Sequence, residues 1–216
     1  MNSETITEKI INYIKINKVS TTEVADCLDK SGVISDIYPV NAGLFRVGKV
    51  RWVYAYDESN WDVHELIRDV EKGEIVFLEE FNCSGRAIVG ELVTKFLILY
   101  KQAEAFVING KIRDAHNIIK EKYPVWCTGF NPVGCFNKKN EREFPVRLRE
   151  EKMEQYNGAV MVCDDTGVVV IPKEKLNEDF YNRLEAIEAQ EDIWFDCIDR
   201  RKWDTFQTVC LKQYKD

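Results

Sequence analysis

The chain has 216 residues, 45% of them hydrophobic and 31% charged, enough to bury a sizeable core and too apolar for a disordered segment. Its net charge is −7 with no basic block, which argues against nucleic-acid binding, because a phosphate backbone is met by a clustered positive face. No apolar run nears the ~20 residues of a bilayer span, and a start carrying Glu4 and Glu8 lacks the order of an export signal, so no membrane contact and a cytoplasmic location are expected.

Ile6, Ile10, Ile11 and Ile14 share one side of a predicted helix over 4–17. "STTEVADCLDKSG" predicts a second helix: Ser20 and Glu23 have capping-box spacing, Val24, Cys27 and Leu28 form its apolar face, and Gly32 ends it. "KVRWVYAYD" at 49–57 reads as a strand. "NWDVHELIRDVEKG" reads as a helix capped by Asn60 and stopped by Gly73, with Arg68-Asp69 solvated inside it. "EIVFLEE" at 74–80 and "EAFVIN" at 104–109 are short buried strands, and "IVGELVTKFLILYKQ" between them is a helix. "AHNIIKEK" and "YPVWC" supply the next helix and strand. Such alternation implies βαβ units and a largely parallel sheet. After residue 140, "FPVRLRE", "GAVMVCD" and "GVVVIP" read as three strands. A long amphipathic helix follows, "PKEKLNEDFYNRLEAIEAQEDIWFDCI", with Pro172 near its start. With no repeat, low-complexity tract or linker, residues 1–216 read as one α/β domain.

Ligands of open parallel α/β sheets sit beyond the carboxyl ends of the strands. Two strand-to-helix junctions occur here, "EEFNCSGRAIVGELV" and "NGKIRDAH", and they share an edge if their strands are parallel. At the first, Ser84, Gly85 and Gly90 keep side chains small where first-turn amides and the helix dipole would suit a carboxylate or phosphate. The same glycines would equally serve a plain tight connection. At the second, Gly110 permits an unusual backbone angle, beyond which Arg113 offers a planar fork for a carboxylate or oxyanion. Asp114 offers hard oxygen of the kind Mg2+ or Mn2+ prefers, and is also a favoured N-cap for the helix behind it. His116 lies two positions from Asp114, so on a helix the two side chains diverge and the imidazole reads as solvated or packed. The seven cysteines show no C-x-x-C pair, and only His64 and His116 could serve a thiol. Neither structural zinc nor a cysteine nucleophile is therefore expected.

"GELV" at 90–93, "NGKIRD" at 109–114, "PVW" at 124–126 and "DDTGVVVIP" at 164–172, with the opening "TTEVADCLDKSG", occur in one order along nearly the whole chain. In this the chain resembles the family that joins the 4-hydroxy-4-methyl-2-oxoglutarate aldolases to the inhibitors of ribonuclease E. The resemblance implies an αββα sandwich related to the swivelling phosphohistidine domain, assembled as a trimer or hexamer. It implies a divalent cation, Mg2+ or Mn2+, and cleavage of a small-molecule oxo acid, a 4-hydroxy-2-oxo acid, to pyruvate and a second oxo compound. By the same likeness the amides of Gly90, Glu91, Leu92 and Val93 would hold the pyruvyl carboxylate, and Arg113 the keto-oxygen side. Asp114 would bind the metal directly and Glu91 through water, with Glu191 contributed by a neighbouring subunit. The chain departs from the family pattern at "TKFLILYKQ", at Gly158-Ala159 and at "VRLREEKMEQYN".

Retro-aldol cleavage suits these residue types, since it leaves a pyruvate enolate whose charge a cation and a guanidinium can stabilise. Decarboxylation of oxaloacetate would pass through the same enolate. No lysine at either junction is buried by its sequence context, which argues against a Schiff base. The alternative is a non-catalytic regulatory binding protein like the ribonuclease E inhibitors. Those members, as the resemblance implies, lack the Asp after the Arg, and this chain keeps it.

Overall fold

Thr5 and Ser20 each open a helix with a reciprocal capping box. Each hydroxyl accepts from the backbone of a glutamate three residues on, and that glutamate bonds back to the cap. These helices are α1 (Ile6–Asn17) and α2 (Thr21–Cys27) in a computed structural model that describes residues 4–215. α2 stops at Cys27 rather than running to Gly32, because Asp29 and Lys30 turn the chain with φ of 57° and 64°. Gly32 instead lies against Leu28 and Val169, where a Cβ would not fit.

β1 (Tyr38–Pro39), β2 (Arg46–Tyr56), α3 (Trp61–Leu66), β3 (Ile75–Phe81) and β4 (Ala87–Val89) follow. α4 (Glu91–Lys95) passes into a π-helical turn over Phe96–Tyr100. Then come β5 (Ala105–Ile112), α5 (Ala115–Lys120), β6 (Val125–Phe130), α6 (Val146–Tyr156), β7 (Val160–Cys163), β8 (Val168–Ile171) and α7 (Glu178–Asp199). Among these described residues no helix is long and apolar enough to cross a membrane.

Five further expectations are corrected. Residues 88–89 form a strand, β4, and not the start of a helix. The helix after Asn60 is shorter than its apolar period suggests, tightening into a 3-10 turn over Ile67–Asp69, and Asn60 does not cap it through its side chain. Arg68 and Asp69 are solvated there. Gly110 lies inside β5 and not in a turn, and its φ is not positive. "FPVRLRE" is not a strand: its apolar alternation is outweighed by the straight-chain helix formers that follow it, and Val146–Tyr156 coils as α6. The last helix begins at Glu178, capped by Asn177 accepting from the Phe180 amide at 3.0 Å, because Pro172 leads only a short 3-10 turn. His116 is exposed, in line with its sequence reading.

The eight strands form one sheet in the order β1-β6-β5-β3-β2-β7-β8, with β4 beside the far end of β5. β2, β3, β5 and β6 run parallel, whereas β7 and β8 form an antiparallel hairpin. The sheet is folded on β2. Residues 46–49 pair with β7, and residues 50–56 pair with β3. Alternate side chains then separate three apolar layers. Val53, Val76, Leu78, Phe106 and Ile108 pack under α3, α4 and α5. Trp52, Phe77, Val107 and Trp126 meet Met161, Cys163, Val168 and Val170 of the hairpin. Val160, Val162, Val169 and Ile171 meet α1, α2 and α7. The layering is helix, sheet, sheet, helix within a mixed α/β fold.

α6 is tied to the sheet by a nearly buried ion pair, in which Lys152 Nζ lies 3.0 Å from Glu79 Oε1. Trp52 Nε1 donates to the other Glu79 oxygen at 2.8 Å. Removing one partner of such a pair strands a desolvated charge. Lys152→Ala is expected to lower the unfolding free energy by ~3 kcal/mol in a denaturant titration, and adding Glu79→Gln to recover part of that loss.

Candidate active site

Two strands end side by side and each passes at once into a helix. β5 pairs with β3 through Asn109, then with β4 through Lys111 and Ile112. β4 thus takes over the edge that β3 leaves, and Gly90 emerges next to Arg113 and Asp114. The Arg113 amide donates to the Val89 carbonyl at 3.0 Å. Asp114 then takes the left-handed conformation, φ 59° and ψ 30°, which Asp tolerates better than most side chains. The unusual backbone angle expected at Gly110 therefore falls on Asp114 itself.

Asp114 occupies the N-cap position of α5 but makes no side-chain bond to that helix. Its Oδ2 accepts from the Glu91 amide at 3.0 Å, capping α4 instead. Gly90 leaves room for this, since a Cβ there would overlap the Asp114 carboxylate and stand 2.9 Å from Arg113 Cγ. Arg113 Nε lies 3.8 Å from Asp114 Oδ2, and both side chains remain about half exposed. Glu91 is adjacent, its Oε2 accepting from Asn117 Nδ2 at 2.7 Å. Gly90, Glu91, Arg113 and Asp114 are thus brought together as the sequence suggests. Val93 is buried beside them, whereas the Leu92 side chain is 79% exposed.

A cavity of about 80 Å3 opens at this rim, lined by Gly90, Val93, Arg113 and Asp114 and, from other parts of the chain, by Asn60, His64, Gly134 and Asn137. This second group was not found from the sequence. Gly134 had the same signal as Gly90, a small residue just past a strand end. A Cβ on it would lie 2.9 Å from Arg113 Nη1. Asn60 carried no such signal, because its place before a helix reads as a cap. The loop after β6 is pinned by backbone bonds from Ala87 to Val133 and from Cys135 to Ala87. Arg86 Nη1 adds a bond to the Gly134 carbonyl at 3.2 Å. Larger hollows of about 450 and 510 Å3 flank the 32–38 segment; the first carries Asp26 and Asp36 among hydroxyl and apolar side chains, and the second Glu154, Lys173 and Glu174.

One guanidinium against two carboxylates makes the rim net negative, and Asp114 Oδ1 and Glu91 Oε1 are not engaged by the bonds described above. This donor set fits a divalent cation such as Mg2+, which is commonly held by one or two carboxylates with water and substrate completing its shell. Among the described residues no three His, Cys, Asp or Glu side chains gather into a metal-binding group. Glu191 lies on α7, its pKa raised by burial and by Glu23 and Asp26 of α2. Asp192 and Glu188 of its own helix add to the same effect. Burial pushes the Cys127 thiol up to about 11 and the Cys27 thiol up to about 12, whereas Cys135, which lines the cavity, is shifted down by a hydrogen bond with Cys83.

Below the rim, Glu80 touches the space beside Gly110 and its Oε2 is buried without a hydrogen-bond partner. Burial raises its pKa above the usual carboxylate value. A raised folded-state pKa means that the stabilising form is the protonated one, present at acid pH and lost as pH rises through that value. Glu80→Gln is expected to raise Tm near neutral pH, with the gain vanishing in acid. Gly90→Ala is expected to keep the far-UV circular dichroism while breaking the bond to Asp114. Amide hydrogen exchange at Glu91 should accelerate ~10-fold, matching a bond worth ~1.4 kcal/mol.

Among known proteins, the family model described as RraA-like, Aldolase/RraA, matches residues 21–170. The chain is 25% identical over 200 residues to Protein DlpA of Legionella pneumophila, covering 88% of this chain but only 31% of that relative. It is 27% identical over 165 residues to a Halalkalibacterium halodurans protein named "Putative 4-hydroxy-4-methyl-2-oxoglutarate aldolase", covering 76% of this chain and 78% of the other. The solved structure of Streptomyces coelicolor RraAS2, described as an unusual member of the RNase ES inhibitor RraA protein family, shares the fold. Its TM-score is 0.66 at 19% identity, over 85% of this chain and 94% of that one. The chain belongs to the RraA-like family.

Proposed function

We propose that this chain is a divalent-metal-dependent lyase that cleaves a 4-hydroxy-2-oxo acid to pyruvate and a second oxo compound, with oxaloacetate decarboxylation as a companion activity. One observation carries the reading: Asp114 and Arg113 converge on Gly90 and the first turn of α4 at the mouth of one cavity. The distant relative named as an aldolase supports it.

In this reading the first-turn amides of α4 and the Arg113 guanidinium grip the pyruvyl end. Glu91 N is already committed to Asp114, so Leu92 and Val93, whose amides have no acceptor within the helix, are left to meet the carboxylate. Arg113 lies over Gly134 with nothing between, which keeps its fork aimed along the cavity wall. Asp114 and Glu91 would hold the cation, which when bound supplies Lewis acidity toward the enolate charge. Asp114 is held for this by its own bond to the Glu91 amide. In an assembly of three or six chains, Glu191 of a neighbouring copy would add a further acid to the rim.

A screen for pyruvate release from 4-hydroxy-2-oxo acids and oxaloacetate, with Mg2+ or Mn2+ and with chelator, tests the proposal. Release that chelator abolishes is expected; no release from any substrate overturns the reading. Asp114→Ala should remove metal-supported turnover with the fold intact. Arg113→Lys should lose at least ~100-fold in kcat/KM, because a point charge does not reproduce the fork. The RraAS2 likeness favours a second reading, a binding protein that regulates a ribonuclease. Recovery of a ribonuclease in a pull-down, with no measurable metal affinity by calorimetry, would establish that reading over the first.

A further inference from the structure

Asn60 closes the turn between β2 and α3 and is only 7% exposed. Its Nδ2 donates to the Ile88 carbonyl at 2.9 Å. A carbonyl can only accept, so the amide's orientation is forced. Oδ1 is thereby left as a buried acceptor with no partner among the described residues. Asn60 also lines the cavity that holds Gly90, Arg113 and Asp114. A buried acceptor is seldom left unmade, and a donor reaching this one from the cavity would also meet Gly90, Arg113 and Asp114. Among the other groups at the rim, Arg113 suits an anion, while Asp114 and Glu91 suit a cation. A neutral amide oxygen suits a hydroxyl.

We infer that Asn60 Oδ1 accepts a hydrogen bond from a hydroxyl of the bound ligand, and so selects hydroxylated 2-oxo acids over those lacking the hydroxyl. The inference rests on the lyase reading for its choice of ligand, but it concerns binding and can be tested without turnover. Asn60 orients the hydroxyl and is no base, because an amide oxygen does not hold a proton at neutral pH. During cleavage the hydroxyl proton leaves to water and its O–H electron pair forms the new C=O. The C3–C4 bond breaks, its pair passing to the enolate, which a proton from water converts to pyruvate. The polar contact is one that oxaloacetate, with no hydroxyl on C4, cannot make.

Asn60→Leu removes the acceptor at similar size, and Asn60→Asp retains one. Both variants lose the donation to the Ile88 carbonyl, so the reading is differential: for the Leu variant kcat/KM on 4-hydroxy-2-oxopentanoate should fall at least ~10-fold further than kcat/KM for oxaloacetate decarboxylation. The Asp variant should retain more of the hydroxy-acid activity than Leu. Equal losses on both substrates would mark Asn60 as merely structural and overturn the inference, as would no loss on either. The unmodified protein supplies a measurement independent of any variant's folding. With Mg2+ present, 4-hydroxy-2-oxopentanoate should compete for the site at least ~10-fold more tightly than 2-oxopentanoate. The readout is inhibition of oxaloacetate turnover or, in a protein without lyase activity, direct calorimetry. Equal affinity, or no binding of either acid, overturns the assignment of Asn60, whereas the lyase reading stands or falls separately on pyruvate release.

Discussion

A carboxylate seated against a backbone amide, across a residue that has no side chain, is the constraint from which the site follows. Asp114 Oδ2 and Glu91 N meet only because Gly90 leaves the space between them empty. That contact joins the ends of two parallel strands, and each strand carries its own helix away from it. It also determines what remains free: one oxygen of Asp114, a guanidinium beside it and the next two amides of α4. A substituent on Gly90 would disturb all of these together.

Opposite charges stand close at the rim without quenching one another. Arg113 and Asp114 stand 3.8 Å apart and stay half solvated, a geometry in which an ion pair contributes little to stability. The two are neighbours in the chain, so their closeness needs no energetic account, and under the proposed reading each charge stays free to meet a ligand. The far wall of the cavity is held differently. Arg86 pairs with Glu58 at 3.4 Å and lies over the Phe136 ring at 4.8 Å, which keeps the loop after β6 in place against Arg113.

Much of this was legible in the residues. The capping box at Ser20, and the alternation of apolar strands with helices, depend on local chemistry, and they appear where the pattern puts them. The convergence of Gly90 with Arg113-Asp114 was legible too, because parallel strands send their ends to one edge. What failed depended on partners distant in sequence. β4 is only three residues long and exists because β5 outruns β3, which no local period reveals. Asn60 precedes a helix, yet its amide serves Ile88, 28 residues away. Asp114 looked like the cap of the helix it begins, and it caps the neighbouring one. α6 was misread because four alternating residues at its start look like a strand, while its anchor, Glu79, lies on another element.

β2 is the one strand that both halves of the sheet share, eleven residues that pair with β7 at one end and β3 at the other. Its side chains reach all three apolar layers: Val47 under the N- and C-terminal helices, Trp52 in the middle and Val53 beneath α3. A shift of its register by one position would turn every one of these side chains to the wrong layer. Neither half can therefore open far without loosening the other. The protein should melt as one cooperative unit, with the hairpin and the ligand-bearing strands sharing a common fate.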